Sequence, residues 1–215
     1  MMKALATDRL RMATGRAPGG LALVQELLNT GMRPQPAGPE DLLAEVDAAN
    51  RWLDSALAQW AAATGQAAPA LRLAEDDLVQ LRRLRESVRA LAGGHGPGSA
   101  TAASAGDAGG FQPAGVNVAL WIGADGQVRR GTGATGWRGL AALVTAEILL
   151  AQHTGLWPRF KACRHPECGA AFYDESRNNS RVWHDVRTCG NRTNLANSRE
   201  RRRVGDSAAS AEAVA

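Results

Sequence analysis

All three cysteines of this 215-residue chain fall between Cys163 and Cys189, and His184 stands among them in a C-x4-C-x15-H-x4-C spacing. Two close pairs of soft ligands separated by a loop are what a tetrahedral structural zinc site requires. An odd number of thiols fits a disulfide framework poorly, so the cysteines read as metal ligands in a reducing compartment. The ligand set proposed from spacing is Cys163, Cys168, His184 and Cys189. Thiolate and imidazole donors select Zn2+, and four protein ligands leave no open position for catalysis. Two other arrangements fit the same residues: buried free thiols beside a surface histidine, or His165 in place of His184.

The segment around these ligands, 157–203, has too little apolar material to fold alone, which gives a metal staple a purpose. It is also basic. Residues 1–156 carry 14 Lys+Arg and 14 Asp+Glu, whereas 157–203 carry 11 Lys+Arg and 5 Asp+Glu. Such a cluster attracts phosphate backbones and implies salt-sensitive binding, although a charge run is often no more than a solvated face.

The rest of the chain reads as mainly helical. LALVQELLNT, residues 21–30, has the pattern of a short helix ended by Gly31. A second helix is expected from Pro39 to Gly65, with Pro39, Glu40 and Asp41 in its first turn and Leu42, Val46, Leu53, Leu57 and Trp60 on one face. DDLVQLRRLRESVRALA predicts a third, with Leu78, Leu81, Val88 and Leu91 inward. Residues 93–110 form a Gly/Ser/Ala loop. An alternating strand over 116–122 then meets Asp125-Gly126, a hairpin signal, and a short basic strand. Residues 137–153 are apolar enough for a buried helix.

The expected fold is therefore mainly α with a small β-hairpin. It comprises a mobile basic arm over 1–20, an α-rich domain over 21–156, a zinc-stapled module over 157–203 and a disordered tail over 204–215. No apolar run reaches the length of a membrane span, and the N-terminus lacks the apolar core of a secretory signal, so a cytoplasmic protein without membrane contact is expected.

Gly131, Gly133 and Gly136 match a G-x-G-x-x-G fingerprint, but a dinucleotide site needs a following strand bearing an acid, and that position falls at 155–158. The phosphate-loop, H-E-x-x-H and G-x-S-x-G signatures are absent, so no catalytic residue is assigned and an enzyme is not expected.

Cys189-Gly-Asn-Arg192, preceded by Cys163-x4-Cys168-Gly169, Phe172-Tyr-Asp-Glu-Ser-Arg-Asn178 and Ser180-Arg-Val-Trp183, resembles the CGNR zinc-finger family. Those bacterial proteins join an N-terminal ABATE domain, described as a stress-induced transcription regulator, to a C-terminal zinc finger credited with DNA binding. Residues 21–30 resemble the opening helix of that domain and Leu81 to Leu91 its Leu-Arg-Glu helix. The family usually has cysteine where this chain has His184, and a lysine shortly after CGNR where this chain has Thr193-Asn194.

A helix beginning at Cys189, capped by Thr188, would place Arg192, Arg199 and Arg203 along one side, suited to phosphates. Asn191, Asn194 and Asn197 recur every third residue, and asparagine amides can read adenine in the major groove. Their plainer role is to solvate a fraying helix. Arg177 and Arg181, between the ligand pairs, could add backbone contacts or pair with Asp174, Glu175 or Asp185. Phe172 and Trp183 are expected to pack around the metal rather than stack on bases. The leading expectation is a zinc-dependent regulator that binds duplex DNA, its N-terminal domain sensing an unknown small-molecule effector or forming a homodimer. The alternatives are a zinc-stapled protein-interaction module and a small-molecule binder using the N-terminal domain.

Overall fold

A computed structural model describes residues 15–31, 41–95, 115–196, 198–199 and 201. The expected loop residues 96–110, most of the N-terminal arm and the tail over 204–215 lie outside them. Within that arm, residues 15–20 are packed rather than loose: Ala17 is buried, and its N–H donates to Gln25 Oε1 at 2.8 Å.

Among the described residues, four helices form the larger part: α1 (Leu21–Asn29), α2 (Val46–Thr64), α3 (Glu75–Gly93) and α4 (Gly136–His153). α4 is the central element. Leu140, Ala141, Ala142, Leu143 and Val144 are all fully buried, so neighbours cover most of the helix, while a stripe of Arg138, Thr145, Leu149 and Gln152 faces solvent. Trp60 of α2 donates its Nε1–H to the buried Glu147 of α4 at 2.7 Å, and Arg130 pairs with the same oxygen. The carboxylate that α4 buries is thus neutralised and hydrogen-bonded, as a buried charge must be.

The second helix begins at Val46, not near Pro39, and Pro39 and Glu40 lie outside the described residues. Asp41 is engaged elsewhere. Its carboxylate takes a bidentate pair from the buried Arg85 of α3 at 2.7 and 2.8 Å and accepts from Leu43 N–H, closing a turn instead of a helical first turn. Leu91 is exposed, and Leu84 and Ala92 join Leu78, Leu81 and Val88 in the core instead.

A two-stranded antiparallel hairpin, β1 (Ala119–Ile122) and β2 (Val128–Gly131), leads into α4. Gly136 opens that helix with φ +58°, and a Cβ there would lie 2.7 Å from Asp77 Oδ2. The N-terminus that a phosphate would need already faces a carboxylate, which disfavours the dinucleotide reading further.

After α4 comes a single 3-10 turn (Trp157–Arg159) and a second antiparallel hairpin, β3 (Phe160–Ala162) and β4 (Ala171–Tyr173). Alternation gives this hairpin two buried faces. Phe160, Ala171 and Tyr173 enter the helical core, while Phe172 packs with Ala170 and the three cysteines. Trp157 stacks on Phe160, and His95, beyond the end of α3, meets Phe160 O through Nδ1 at 2.7 Å. Asn29 closes the outer edge of β4, accepting from Ala171 N at 2.8 Å and donating to Ala171 O at 3.1 Å, as a neighbouring strand would. Among the described residues, no helix is long and apolar enough to cross a membrane.

Candidate metal centre and its basic helix

Cys163 leaves β3 and Cys168 enters the turn before β4, so the first ligand pair brackets the hairpin loop. Backbone bonds shape that loop: Cys163 N donates to Ala170 O at 2.8 Å and Cys168 N to His165 O at 2.9 Å. Gly169 follows with φ +63°, a left-handed position that a side chain disfavours. The second pair lies on the returning chain. His184 precedes Asp185, whose carboxylate accepts from Arg187 N and caps a wide helical turn (Val186–Gly190) that carries Cys189. The helix therefore starts three residues before the expected position, with Asp185 rather than Thr188 as its cap, and continues through 191–196.

Each of Cys163, Cys168, His184 and Cys189 is buried, and their ligand atoms all lie within 4.8 Å of one another. His184 Nδ1 is 3.3 Å from Cys168 Sγ and 3.6 Å from Cys189 Sγ. A tetrahedral ion with ordinary Zn–S and Zn–N bonds sets that edge at about 3.6 Å, so the donors are spaced to fit. Hydrogen bonding with Cys168 draws the Cys163 thiol down to about 4 against the opposing effect of burial. The same bond, together with burial, pushes Cys168 far up, and burial and the Cys163 charge raise Cys189. Unaided, the pocket favours one thiolate; a dication is what allows three. The cluster fits one structural zinc site. His165 stands apart from it, its Nδ1 accepting from Glu167 N at 3.2 Å, and so does not replace His184.

Neighbours hold the ligands in place. Phe172 is fully buried against the cysteines, with Trp183 packed beside them. Arg181 lies over the Phe172 ring at 5.4 Å and donates to His184 O at 2.5 Å. Its guanidinium is engaged within the knuckle, which leaves it poorly placed for the phosphate contact expected from sequence. Lys161 and Asp174 form a fully buried pair at 2.7 Å, and Lys161 Nζ also donates to Asn179 O and Arg181 O, fixing the loop between the ligand pairs. Asp174 also accepts from Arg181 N at 2.8 Å. Arg89 of α3 reaches across from the helical core to Gly169 O, while also donating to Leu28 O at 2.5 Å and Gly31 O at 2.9 Å.

The helix beyond the metal is exposed along most of its length. Asn191, Arg192, Asn194 and Arg199 face solvent, as does Arg177 in the inter-pair turn, whereas Asn197 and Arg203 lie outside the described residues. Arg187 and Arg201, not singled out from sequence, are exposed as well. Arg192, Leu195 and Arg199 follow helical spacing along one side, and Leu195 is exposed between the two arginines. Thr193 Oγ1 donates to Cys189 O at 3.0 Å, tying the helix to its metal ligand.

The ABATE family model, described as "Putative stress-induced transcription regulator", matches residues 21–157, and the CGNR zinc finger model matches residues 159–202. No curated protein matches the chain.

Proposed function

Because this chain belongs to the ABATE family and carries a CGNR zinc finger, we propose that it is a zinc-dependent, DNA-binding transcription regulator of the cytoplasm. The observation that supports this reading is the exposed helix rooted at Cys189. Its first turn is fixed by the metal ligand, and Arg192 and Arg199 stand on its outer side. A rigidly anchored basic helix can enter a major groove, its arginines neutralising phosphates and Asn191 and Asn194 reaching base edges. Arg177 and Arg187 extend the basic surface beyond the helix, and the charge excess of 157–203 supplies attraction at distance. Asn197 and Arg203 belong to the same proposed surface by sequence spacing. Zinc acts here as a staple only, and no catalytic step is assigned to the chain.

One zinc module offers few base contacts, so a homodimer would gain affinity by occupying two half-sites. The α-rich domain is the part available to take up an effector.

The test is fluorescence anisotropy on duplex DNA, including the gene's own upstream region, across a salt series with and without a strong chelator. Binding should weaken steeply with salt and vanish with the metal. Arg192→Ala with Arg199→Ala should flatten the slope by roughly two phosphate contacts. An unchanged affinity and slope in that variant would remove both arginines from the interface. No binding by zinc-loaded protein at low salt would overturn the reading.

A further inference from the structure

The hairpin β1–β2 projects past the helices with an aliphatic face that nothing described covers. Its base is anchored on that face: Arg130 pairs with Glu147 at 2.6 Å and lies over the Trp60 ring, and its N–H donates to Gln66 Oε1 at 3.1 Å, closing the outer edge of β2. The register places Leu120 opposite Arg130 and Ile122 opposite Val128, so these side chains share a face. Val118 precedes them at the same parity.

Away from the base, exposure is high: Val118 38%, Leu120 67%, Ile122 75% and Val128 61%. Trp121 points to the other side, its ring lying over Gly131. Among the described residues, no backbone hydrogen bond reaches β1 from the side away from β2.

A two-stranded hairpin is marginal in water unless one face is covered. Among the described residues, this one is covered only at its base. We propose that the Val118–Leu120–Ile122–Val128 face packs against the same face of a second copy across a twofold axis.

Three considerations select a second copy. The exposed part of the face carries no charge, so it offers nothing to orient an acidic or basic partner, while an all-aliphatic face is complementary to itself. The four side chains present on the order of 400 Å² of aliphatic surface, within the range at which a patch on a monomer marks an interaction site. Two such faces and their rims bury about 1,000 Å² in all, the lower limit for a specific interface, so the pairing belongs with weak, reversible dimers rather than obligate ones. The pairing does not depend on DNA binding: it concerns the end of the helical domain that carries the hairpin, and its failure would leave the zinc module's reading untouched.

Sedimentation velocity of the full-length, zinc-loaded protein from about 1 to 100 μM tests it. The wild type should pass from monomer to dimer across that range. Leu120→Lys and Ile122→Lys should each weaken association at least tenfold while zinc content and far-UV circular dichroism stay unchanged, since both positions are exposed in the monomer. Leu120→Met should associate as the wild type does. Leu149→Lys, on an exposed site of α4 at 64% exposure, should also leave association intact. A wild type that remains monomeric throughout would overturn the proposal. So would a lysine variant that dimerises normally, or a Leu149→Lys variant that loses dimerisation as severely as Leu120→Lys.

Discussion

Replacing Lys161 with methionine keeps the length and apolar stem of the side chain and removes only its charge and its three donors. The side chain is 1% exposed, and its partner Asp174 is 0% exposed. Nζ gives one bond to Asp174 Oδ2 at 2.7 Å, one to Asn179 O at 2.8 Å and one to Arg181 O at 3.0 Å, which saturates an ammonium. Methionine leaves a buried carboxylate with the N–H groups of Ser176 and Arg181 and the Ser176 side chain but no cation, and leaves two carbonyls short of a donor. Breaking a buried pair from one side costs about 3–5 kcal/mol. In a chain of this size that corresponds to a fall in Tm of roughly 10 °C, read by thermal and urea unfolding.

The double variant Lys161→Met with Asp174→Asn should recover part of the loss, because it removes the uncompensated buried charge, although the single amide oxygen can accept only one of the two backbone N–H groups that bond opposite carboxylate oxygens. A pH series adds a signature. Burial alone would raise the Asp174 carboxyl, but Lys161, the Ser176 side chain and the Ser176 and Arg181 N–H groups bring it to about 2, below its unfolded value. Its contribution is therefore full above about pH 4 and is lost as the pH falls toward 2. The wild type's advantage over Asp174→Asn should shrink across that window. A single-variant loss below about 1 kcal/mol, or a double variant no better than the single one, would refute the reasoning.

Arg89→Ala should cost about 2–4 kcal/mol and speed amide exchange both at 28–31 and at 168–171, because one guanidinium serves carbonyls in both places; faster exchange at only one of them would refute the bridging role. Chelation of zinc should release amide protection over 163–196 and alter Trp183 fluorescence while leaving α4 protected, and Zn2+ but not Mg2+ should reverse the change; persistent protection at Cys168 and Cys189 after chelation would refute the metal's structural role.

The metal cluster was legible because ligand spacing is a local property, and so was the helical character of the N-terminal part, because apolar periodicity is local too. The misread places are those where a distant partner intervenes. Asp41 reads as a first-turn acid until Arg85, 44 residues away, claims its carboxylate and shifts the helix start to Val46. Arg181, which the sequence offers to a phosphate or to a nearby acid, has its guanidinium over the Phe172 ring and on His184 O, contacts that residue spacing does not reveal. Arg89 gives no sequence signal at all, since nothing in a helix of alternating arginines and leucines marks the one that crosses to Gly169. Lys161 did leave a trace: a lysine within Phe-Lys-Ala, facing Phe-Tyr-Asp of the next strand, is an opposite-charge pair in otherwise apolar strands.

The expectation that the zinc segment is too small to fold alone was argued from size, and the hairpin β3–β4 supplies a second reason why it need not. Strand alternation sends Phe160, Ala171 and Tyr173 into the helical core while Phe172 lies among the thiols. The hairpin is thus clamped from one side by apolar burial and from the other by the metal ligands. Separation of the two parts would expose an aromatic pair to water, orphan the Asn29 and Gln25 bonds to Ala171, and free the Arg89 contact at Gly169. Those costs fall together, because they all act on the same hairpin and its loop. The consequence is directional. A displacement of α1 or α3 acts on the metal centre through Ala171 and Gly169, each within three residues of Cys168, and the helix after Cys189 is tied to that centre by Thr193 Oγ1 on Cys189 O. A change in the helical core therefore has a direct route to that helix through the hairpin and the four ligands.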